Sequence, residues 1–148
     1  MEWTRDKFTV TTDRARLDRD VIVGFLTSSY WAQHIPRVIV DKSIDNSLCF
    51  GLLEEDRQIG FARVVTDCAT LAYLADVFVL PEHRGAGLGR WLIECVVSHP
   101  DLQGLRRWVL GTRDAHGLYQ KFGFTPLKRP EIFMELHNPD VYRAGKSR

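Results

Sequence analysis

The sequence predicts a domain of mixed secondary structure, in which a central β-sheet carries helices on both faces, of the α/β or α+β class. Two patterns support this prediction. Apolar residues alternate with period two in several short segments, as in strands, and recur at helical spacing in residues 88–98. The predicted order is β-α-α-β-β-β-α-β-α-β. No internal repeat or linker interrupts it, so residues 1–148 are predicted to form one domain.

The first half of the chain is predicted to contain a strand, two helices and three strands. Asp18 is a candidate N-cap for the first helix, and Pro36 suits the first turn of the second. A charged turn at 54–57 joins the first two of the three later strands. The predicted elements are a strand in 7–13, helices in 19–31 and 36–47, and strands in 47–55, 57–67 and 70–80.

The second half of the chain contains the clearest helix, residues 88–98. Its apolar positions form a single stripe: Leu88, Trp91, Leu92, Cys95 and Val96. A strand in 106–112 and a short helix in 114–122 are predicted next. Gly123 suits the C-terminal end of that helix, and a last strand is predicted in 131–137.

Composition excludes several classes of protein. The 148 residues carry a net charge of +1 and are 45% hydrophobic, which is ordinary for a globular chain and gives no basic excess for nucleic acid. No apolar run approaches the length of a membrane span, and the N-terminus does not resemble a signal peptide. The three cysteines lack the spacing of a zinc site or disulfide framework. We therefore expect a cytoplasmic protein with no metal, nucleic-acid or membrane partner.

The segment RGAGLGR, residues 84–90, predicts an anion-binding loop. Gly85, Gly87 and Gly89 leave backbone N–H groups unobstructed between a strand and a helix. The first N–H groups of a helix lack internal partners, and the helix dipole favours negative charge there. No side chain is suited to cap this helix, so a phosphate group could complete it. Arg84 and Arg90 can add charge-assisted hydrogen bonds.

Two common phosphate-binding motifs do not fit this loop. The P-loop pattern GxxxxGK[ST] does not occur, and Arg90 stands where the dinucleotide fingerprint GxGxxG requires its last glycine. A second interpretation is a glycine-rich turn that only lets the helix and strand pack closely. The glycine pattern by itself leaves both interpretations open.

The loop and a later segment together resemble the GNAT superfamily of acyl-CoA-dependent N-acyltransferases. The loop matches the family signature R/Q-x-x-G-x-G/A and follows the strand VFVLP. The segment DAHGLYQKFGF, residues 114–124, is similar to the family's later motif through Ala115, Tyr119, Gly123 and Phe124. The resemblance implies a GNAT-like mixed, mostly antiparallel central sheet.

The resemblance also implies acetyl-CoA as the acyl donor and no metal. In the family, loop N–H groups bind the pyrophosphate of coenzyme A, and the pantetheine arm runs along the preceding strand. Thr112 stands where the family often has Asn. Residues 77–79 could also be a core strand, and both interpretations can hold together. The implied coenzyme A residues are Val77, Phe78, Val79, Arg84, Gly85, Ala86, Gly87, Leu88, Gly89, Arg90, Thr112 and Ala115.

The implied activity is transfer of an acetyl group to a primary amine by direct attack in a ternary complex. Tyr119 matches the family tyrosine that protonates the departing thiolate. Asp76 is the candidate base, although a carboxylate there could instead bond to a neighbouring strand or loop. We interpret Asp114 as a helix cap and His116 as a surface residue. The alternative function is a non-catalytic acyl-CoA-binding sensor or scaffold.

The acceptor is an amine of a small molecule or of a protein, between which the motifs do not discriminate. Tyr30 and Trp31, with His34 nearby, could form a cation-binding wall or pack the connection between two helices. Arg63 could meet an acceptor carboxylate or a surface acid. Homodimers are common in the family, but the sequence assigns no interface.

Overall fold

The computed structural model describes residues 1–143, which form a six-stranded sheet with helices on both faces. The predicted fold class is confirmed, and nine of the ten predicted elements are present with small shifts at their ends. The strands are β1 (Glu2–Arg5), β2 (Phe8–Thr11), β3 (Leu48–Glu54), β4 (Arg57–Thr66), β5 (Leu71–Val79) and β6 (Arg107–Leu110). The helices are α1 (Arg19–Ser28), α2 (Arg37–Asp45), α3 (Leu88–Ser98) and α4 (His116–Gln120).

The strands lie in the sheet in their order along the chain, from β1 to β6. The first five pair antiparallel with their neighbours, and β5 pairs parallel with β6. A parallel pair needs a crossover, and α3 provides it. The sheet is therefore mixed and mostly antiparallel, as expected.

Two apolar clusters hold the helices against the sheet. On one face α3 buries its predicted stripe, of which every member is at most 6% exposed. On the other face α1 and α2 pack Ile22, Leu26 and Val40 against Phe61 and Phe78 of the sheet. Burying such side chains stabilises the fold by about 1.5–3 kcal/mol each.

The predicted cap of α1 is confirmed. The Asp18 side chain accepts hydrogen bonds from the N–H groups of Asp20 and Val21. The predicted cap of α4 is wrong, because Ala115 is the N-cap residue and Asp114 is exposed. The Thr112 hydroxyl instead accepts a hydrogen bond from the Ala115 N–H at 3.1 Å. The turn that leads into α4 therefore has its own internal bond.

The predicted strand order is wrong at both ends of the chain. Strand β1 was not expected, because Glu2, Thr4 and Arg5 are exposed and only Trp3 packs on the core. The strand predicted in 131–137 is absent from the described residues. A 3-10 turn occupies Pro130–Ile132, and residues 133–138 follow without strand pairing. A period-two pattern predicts an extended segment, but a strand also requires a neighbour.

A bulge in β5 and the short length of β6 shape one edge of the sheet. The register between β4 and β5 shifts between Phe61 and Arg63, where Asp76 adopts a φ of 55°. Pairing between β5 and β6 ends at Leu74 and Leu110. Among residues 1–143, the end of β5 therefore has a strand neighbour on the β4 side alone, which leaves a slot on the other side.

No helix within residues 1–143 is long and apolar enough to span a bilayer.

The buried His99, just after α3, should make the stability of the protein depend on pH. It is 6% exposed, packs against Trp3 and Phe50, and accepts the Asp101 N–H at Nδ1 over 3.1 Å. Burial lowers its pKa, and the Asp101 carboxylate partly opposes this. The unfolded chain then binds more protons below about pH 6.5, so the free energy of unfolding should fall as the pH drops through that value.

Urea unfolding at about pH 7.5 and about pH 5.5 would measure this fall. His99→Asn keeps an acceptor for the Asp101 N–H but does not titrate, so the free energy of unfolding of this variant should fall less between the two pH values. An equal fall in both proteins would show that other groups cause the dependence.

Candidate active site

The glycine loop joins β5 to α3 in a conformation that suits glycine. Gly85 and Gly87 have φ values of 89° and 75°, which side-chain-bearing residues rarely adopt. Gly87 is the N-cap residue of α3 and provides no side-chain hydrogen bond. The uncapped helix start expected from the sequence is therefore present.

Backbone donors converge at this loop. Within residues 1–143, no acceptor pairs with the N–H groups of residues 85–90, and the first bond of α3 runs from the Trp91 N–H to the Gly87 carbonyl. A Cβ at Gly85 or Gly87 would meet nothing within 4 Å. Donors, helix dipole and open space together fit an anion.

The end of β5 presents backbone groups to the slot. The Leu80 N–H donates to the Ile59 carbonyl at 2.8 Å. Opposed residues in an antiparallel pair alternate between bonded and non-bonded, so Val79, opposite Gly60, directs its N–H and C=O away from β4. The Arg84 Nε donates to the Val79 carbonyl at 2.9 Å from this open side.

Two cavities meet beside these donors. The loop cavity, of about 650 Å³, lies between the glycine loop, the end of β5, α1 and α4, and its lining includes His83, Arg84, Gly85, Gly87, Leu88, Gly89 and Arg90. The inner cavity, of about 560 Å³, is bordered by Arg63, Asp76 and Tyr73. Seven residues border both cavities and form their shared lining: Tyr30, Trp31, Val77, Arg113, Asp114, Ala115 and Tyr119.

Tyr119 is the most buried member of the shared lining. It is 8% exposed, and its ring packs against Phe124 at a centroid distance of 5.8 Å. Burial raises the pKa of Tyr119 to about 12, and the nearby Tyr30 adds to the shift. The phenol therefore keeps its proton at neutral pH, as a proton donor must.

Asp76 lies in the inner cavity with both carboxylate oxygens engaged. The Trp31 Nε1–H donates to Oδ1 at 2.8 Å, and the Arg63 Nε–H donates to Oδ2 at 2.8 Å. Arg63 also donates to the Ser47 hydroxyl at 3.1 Å. The side chains of Asp76 and Arg63 are only 10% and 18% exposed. The structure therefore brings together three residues that the sequence suggested separately.

Tyr30 and Trp31 form the outer wall of both cavities. Their rings meet edge to face at 5.0 Å. The Arg113 guanidinium lies 3.9 Å from the centre of the Tyr30 ring, and the Arg113 N–H donates to the Tyr30 hydroxyl at 3.2 Å. A cation of the chain itself therefore occupies one face of Tyr30. His34 is exposed and borders neither cavity.

Comparison with known proteins places this site in a family. Residues 45–126 match the model of the acetyltransferase (GNAT) domain. The chain belongs to the GNAT family of acetyltransferases. A candidate acetyltransferase from Gibberella zeae is 37% identical, in a match that covers 80% of this chain and 79% of that protein.

Solved structures support the same assignment. The crystal structure of a candidate GNAT acetyltransferase from Xanthomonas campestris pv. campestris is 51% identical, with a TM-score of 0.90, over 92% of this chain and 96% of that one. A GNAT acetyltransferase from Elizabethkingia anophelis, solved with acetyl-CoA bound, is 17% identical with a TM-score of 0.60, over 82% of this chain and 78% of that one. The similarity to the Elizabethkingia anophelis structure is a similarity of fold.

The GNAT chain gathers most of its expected coenzyme A residues around the loop cavity. Ten of them line it: Val77, Phe78, Val79, Arg84, Gly85, Gly87, Leu88, Gly89, Arg90 and Ala115. Ala86 is exposed on the loop and outside this lining, and Thr112 borders the inner cavity. The Phe78 side chain stacks on Phe25 at 4.0 Å. Its side chain is thus core, and its N–H and C=O face Phe61 of β4, because Phe78 is one position from the outward-directed Val79.

Sequence reasoning missed several residues of this GNAT site. Arg113 carried no motif signal, and Tyr73 looked like an ordinary strand residue. Tyr142 reaches the inner cavity from the C-terminal segment. No local pattern marks such residues, because their place depends on tertiary structure. His116, in contrast, is exposed as expected.

Proposed function

We propose that this GNAT protein transfers the acetyl group of acetyl-CoA to a primary amine by direct attack in a ternary complex. The observation that carries the proposal is the meeting of the two cavities at Tyr119. One cavity offers donors for a pyrophosphate, and the other offers a carboxylate and polar side chains for an amine. The residue between them can hold a proton at neutral pH.

The loop cavity fits the donor substrate. The N–H groups of residues 85–90 and the guanidinium groups of Arg84 and Arg90 would bind the pyrophosphate. The outward C=O of Val79 would accept a hydrogen bond from a pantetheine amide, as in an added strand, which leaves the Val79 N–H for the reacting acyl group. Because Arg84 now bonds to the Val79 carbonyl, it would exchange that bond for one to phosphate.

The reaction then needs a hydrogen-bond donor for the oxyanion, a base for the amine and an acid for the thiolate. As the amine nitrogen bonds to the acyl carbon, the Val79 N–H would stabilise the oxyanion. Asp76 would accept the proton that the amine loses. When the carbon–sulfur bond breaks, the Tyr119 hydroxyl would protonate the thiolate of coenzyme A.

Asp76 is suited to bind the amine as well as to deprotonate it. Trp31 and Arg63 fix its orientation, and each carboxylate oxygen can accept a second hydrogen bond. Arg63 compensates its charge inside the cavity. We infer that Arg63 serves Asp76 rather than an acceptor carboxylate, since its Nε and one terminal nitrogen are already bonded.

Asp76→Asn is expected to lower kcat by about a hundredfold, because the amide cannot accept the amine proton. Asn also tolerates the φ of 55° at this position. Trp31→Phe is the matched control, since it removes one hydrogen bond to Asp76 but keeps the carboxylate, and it should cost much less. Initial rates against pH would measure both variants. An unchanged kcat with a raised KM would assign Asp76 to binding and leave the base elsewhere.

The activity itself is tested with acetyl-CoA and a panel of small amines, amino acids, polyamines and peptide amines. Release of the coenzyme A thiol is followed with a chromogenic disulfide. Cys68 is an exposed thiol, so the Cys68→Ser variant should be used to lower the background. Amine-dependent thiol release would support the proposal.

Thermal shifts, read together with the thiol assay, distinguish an enzyme from a non-catalytic binding module. Acetyl-CoA at about 100 times its Kd should increase the free energy of unfolding by about 2.7 kcal/mol, which raises the Tm by several degrees. A higher Tm with acetyl-CoA and coenzyme A, but no release of the coenzyme A thiol with any amine, would favour a sensor or scaffold. A rise with ATP or NAD alone would contradict both functions.

A further inference from the structure

The inner cavity gathers three of the four most exposed aromatic side chains within residues 1–143. These four side chains are 39–49% exposed and belong to Tyr30, Trp31, Tyr73 and Phe133. The first three border the inner cavity, and the half-buried Tyr142 borders it as well. Exposed aromatic rings leave a large apolar area in water, and a group of them around one cavity marks a ligand site.

The side chain of Tyr73 lies on the cavity side of the sheet. Successive side chains of a strand point to opposite faces, and the neighbours Ala72 and Leu74 pack in the α3 cluster. The Tyr73 side chain therefore points to the face that carries α1 and α2. Ile35 and Ile39, the latter on α2, border the same cavity. The cavity between β5 and α2 is thus lined by an aromatic residue and by aliphatic residues.

Hydrogen bonding fixes the indole of Trp31 beside the candidate base. Its Nε1–H donates to the Asp76 carboxylate at 2.8 Å. Its ring packs against Tyr30 at a centroid distance of 5.0 Å and against Phe25 at 6.1 Å. An ammonium group bonded to Asp76 would therefore have the indole as an immediate neighbour. A ring that is already held in place binds an apolar group with little further loss of side-chain entropy.

The charges around the inner cavity balance. Among the described residues, its lining has two carboxylates and two guanidinium groups, those of Asp76, Asp114, Arg63 and Arg113. Asp76 is paired with Arg63. Asp76 can therefore accept one ammonium, but the lining carries no net negative charge that would hold a second. This balance disfavours polyamines and favours an acceptor with one cationic group.

We propose that the inner cavity binds an aromatic monoamine, an amine with one cationic group and an aromatic body; this inference rests on the proposed transfer function. The ammonium would donate to Asp76, and the aromatic body would pack against Trp31 and Tyr73. The ring of Tyr73, rather than its hydroxyl, would then determine the specificity for the acceptor. The cavity, of about 560 Å³, has the size of a small-molecule site.

Rates of thiol release with four acceptors measure this specificity: phenethylamine, butylamine, spermidine and a lysine peptide. The value of kcat/KM for phenethylamine should exceed each of the others by about tenfold, because the phenyl group gains apolar contact in the cavity. Tyr73→Thr keeps a residue that favours strands but removes the ring, so the preference over butylamine should largely disappear. A higher kcat/KM for any of the other three acceptors would overturn the proposal.

Two variants serve as matched controls for Tyr73→Thr. Tyr73→Phe removes only the hydroxyl and should keep the preference for phenethylamine. Phe133→Thr removes the exposed aromatic side chain that lies outside the inner cavity, and it should keep the preference too. Loss of the preference in Phe133→Thr, or its full retention in Tyr73→Thr, would contradict the proposal.

Binding measurements separate this inference from the transfer on which it rests. Calorimetric titration with phenethylamine in the presence of coenzyme A needs no turnover, and Tyr73→Thr should raise the Kd for phenethylamine by about tenfold. Binding of phenethylamine without thiol release from any acceptor would support this site and overturn the proposed transfer. Thiol release with spermidine or the peptide, but neither release nor binding with phenethylamine, would overturn this inference and leave the transfer intact.

Discussion

Replacing Tyr119 with Phe is expected to lower kcat by about a hundredfold while the Kd for acetyl-CoA is unchanged. The variant removes one hydroxyl from the junction of the two cavities and keeps the ring that packs against Phe124. The thiolate would then leave without a proton donor. Single-turnover rates and calorimetric titration with acetyl-CoA would measure the two quantities separately.

Tyr73→Phe is the control for this result. Tyr73 is also a tyrosine that borders the inner cavity, but it does not border the loop cavity. Its loss should change kcat far less. Because burial raises the pKa of Tyr119 to about 12, the wild-type rate should show no loss from Tyr119 ionisation up to about pH 10. A Tyr119→Phe enzyme with normal turnover would remove Tyr119 from the mechanism.

Replacing Gly87 with Val is expected to raise the Kd for acetyl-CoA by at least about tenfold, or about 1.4 kcal/mol. At a φ of 75° a branched side chain is strained, and the loop must shift its N–H groups to relieve the strain. The new side chain would also stand in the open space beside those groups. Calorimetric titration with acetyl-CoA would measure the loss.

Gly104 offers a control with the same local geometry. It also has a φ of 75°, and a Cβ there would meet nothing within 4 Å, but it lies outside both cavities. Gly104→Val should lower stability to a similar degree and leave the Kd unchanged. Equal weakening of binding in both variants would mean that Gly87 acts through stability and not through the ligand.

Features that depend on local sequence were predictable. The stripe of α3, the Asp18 cap and the absence of a side-chain cap at Gly87 each involve residues close together in the chain. The loop that is proposed to bind the donor falls in this group. Its residues could therefore be identified before any tertiary structure was known.

Features that depend on register or on a second element were not predictable. Asp76 could be singled out as a polar residue in an apolar strand, but its bonds to Trp31 and Arg63 span 45 and 13 positions of the chain. The contact of Arg113 with Tyr30 spans 83 positions. Hydrophobic alternation suggested a last strand, but pairing depends on what lies beside the segment.

The bulge at Asp76 also reverses which residues of β5 face α3. Before it, the even-numbered Ala72 and Leu74 pack in the α3 cluster; after it, the odd-numbered Val77 and Val79 do. An uninterrupted strand would direct Asp76 and the residues beyond it to the opposite faces. If the same residues were forced into a regular strand, the Asp76 carboxylate would turn out of its cavity, and the strand end that is proposed to meet the donor would turn with it. The extra residue of the bulge should accordingly be kept among homologues, even where the individual side chains of β5 vary.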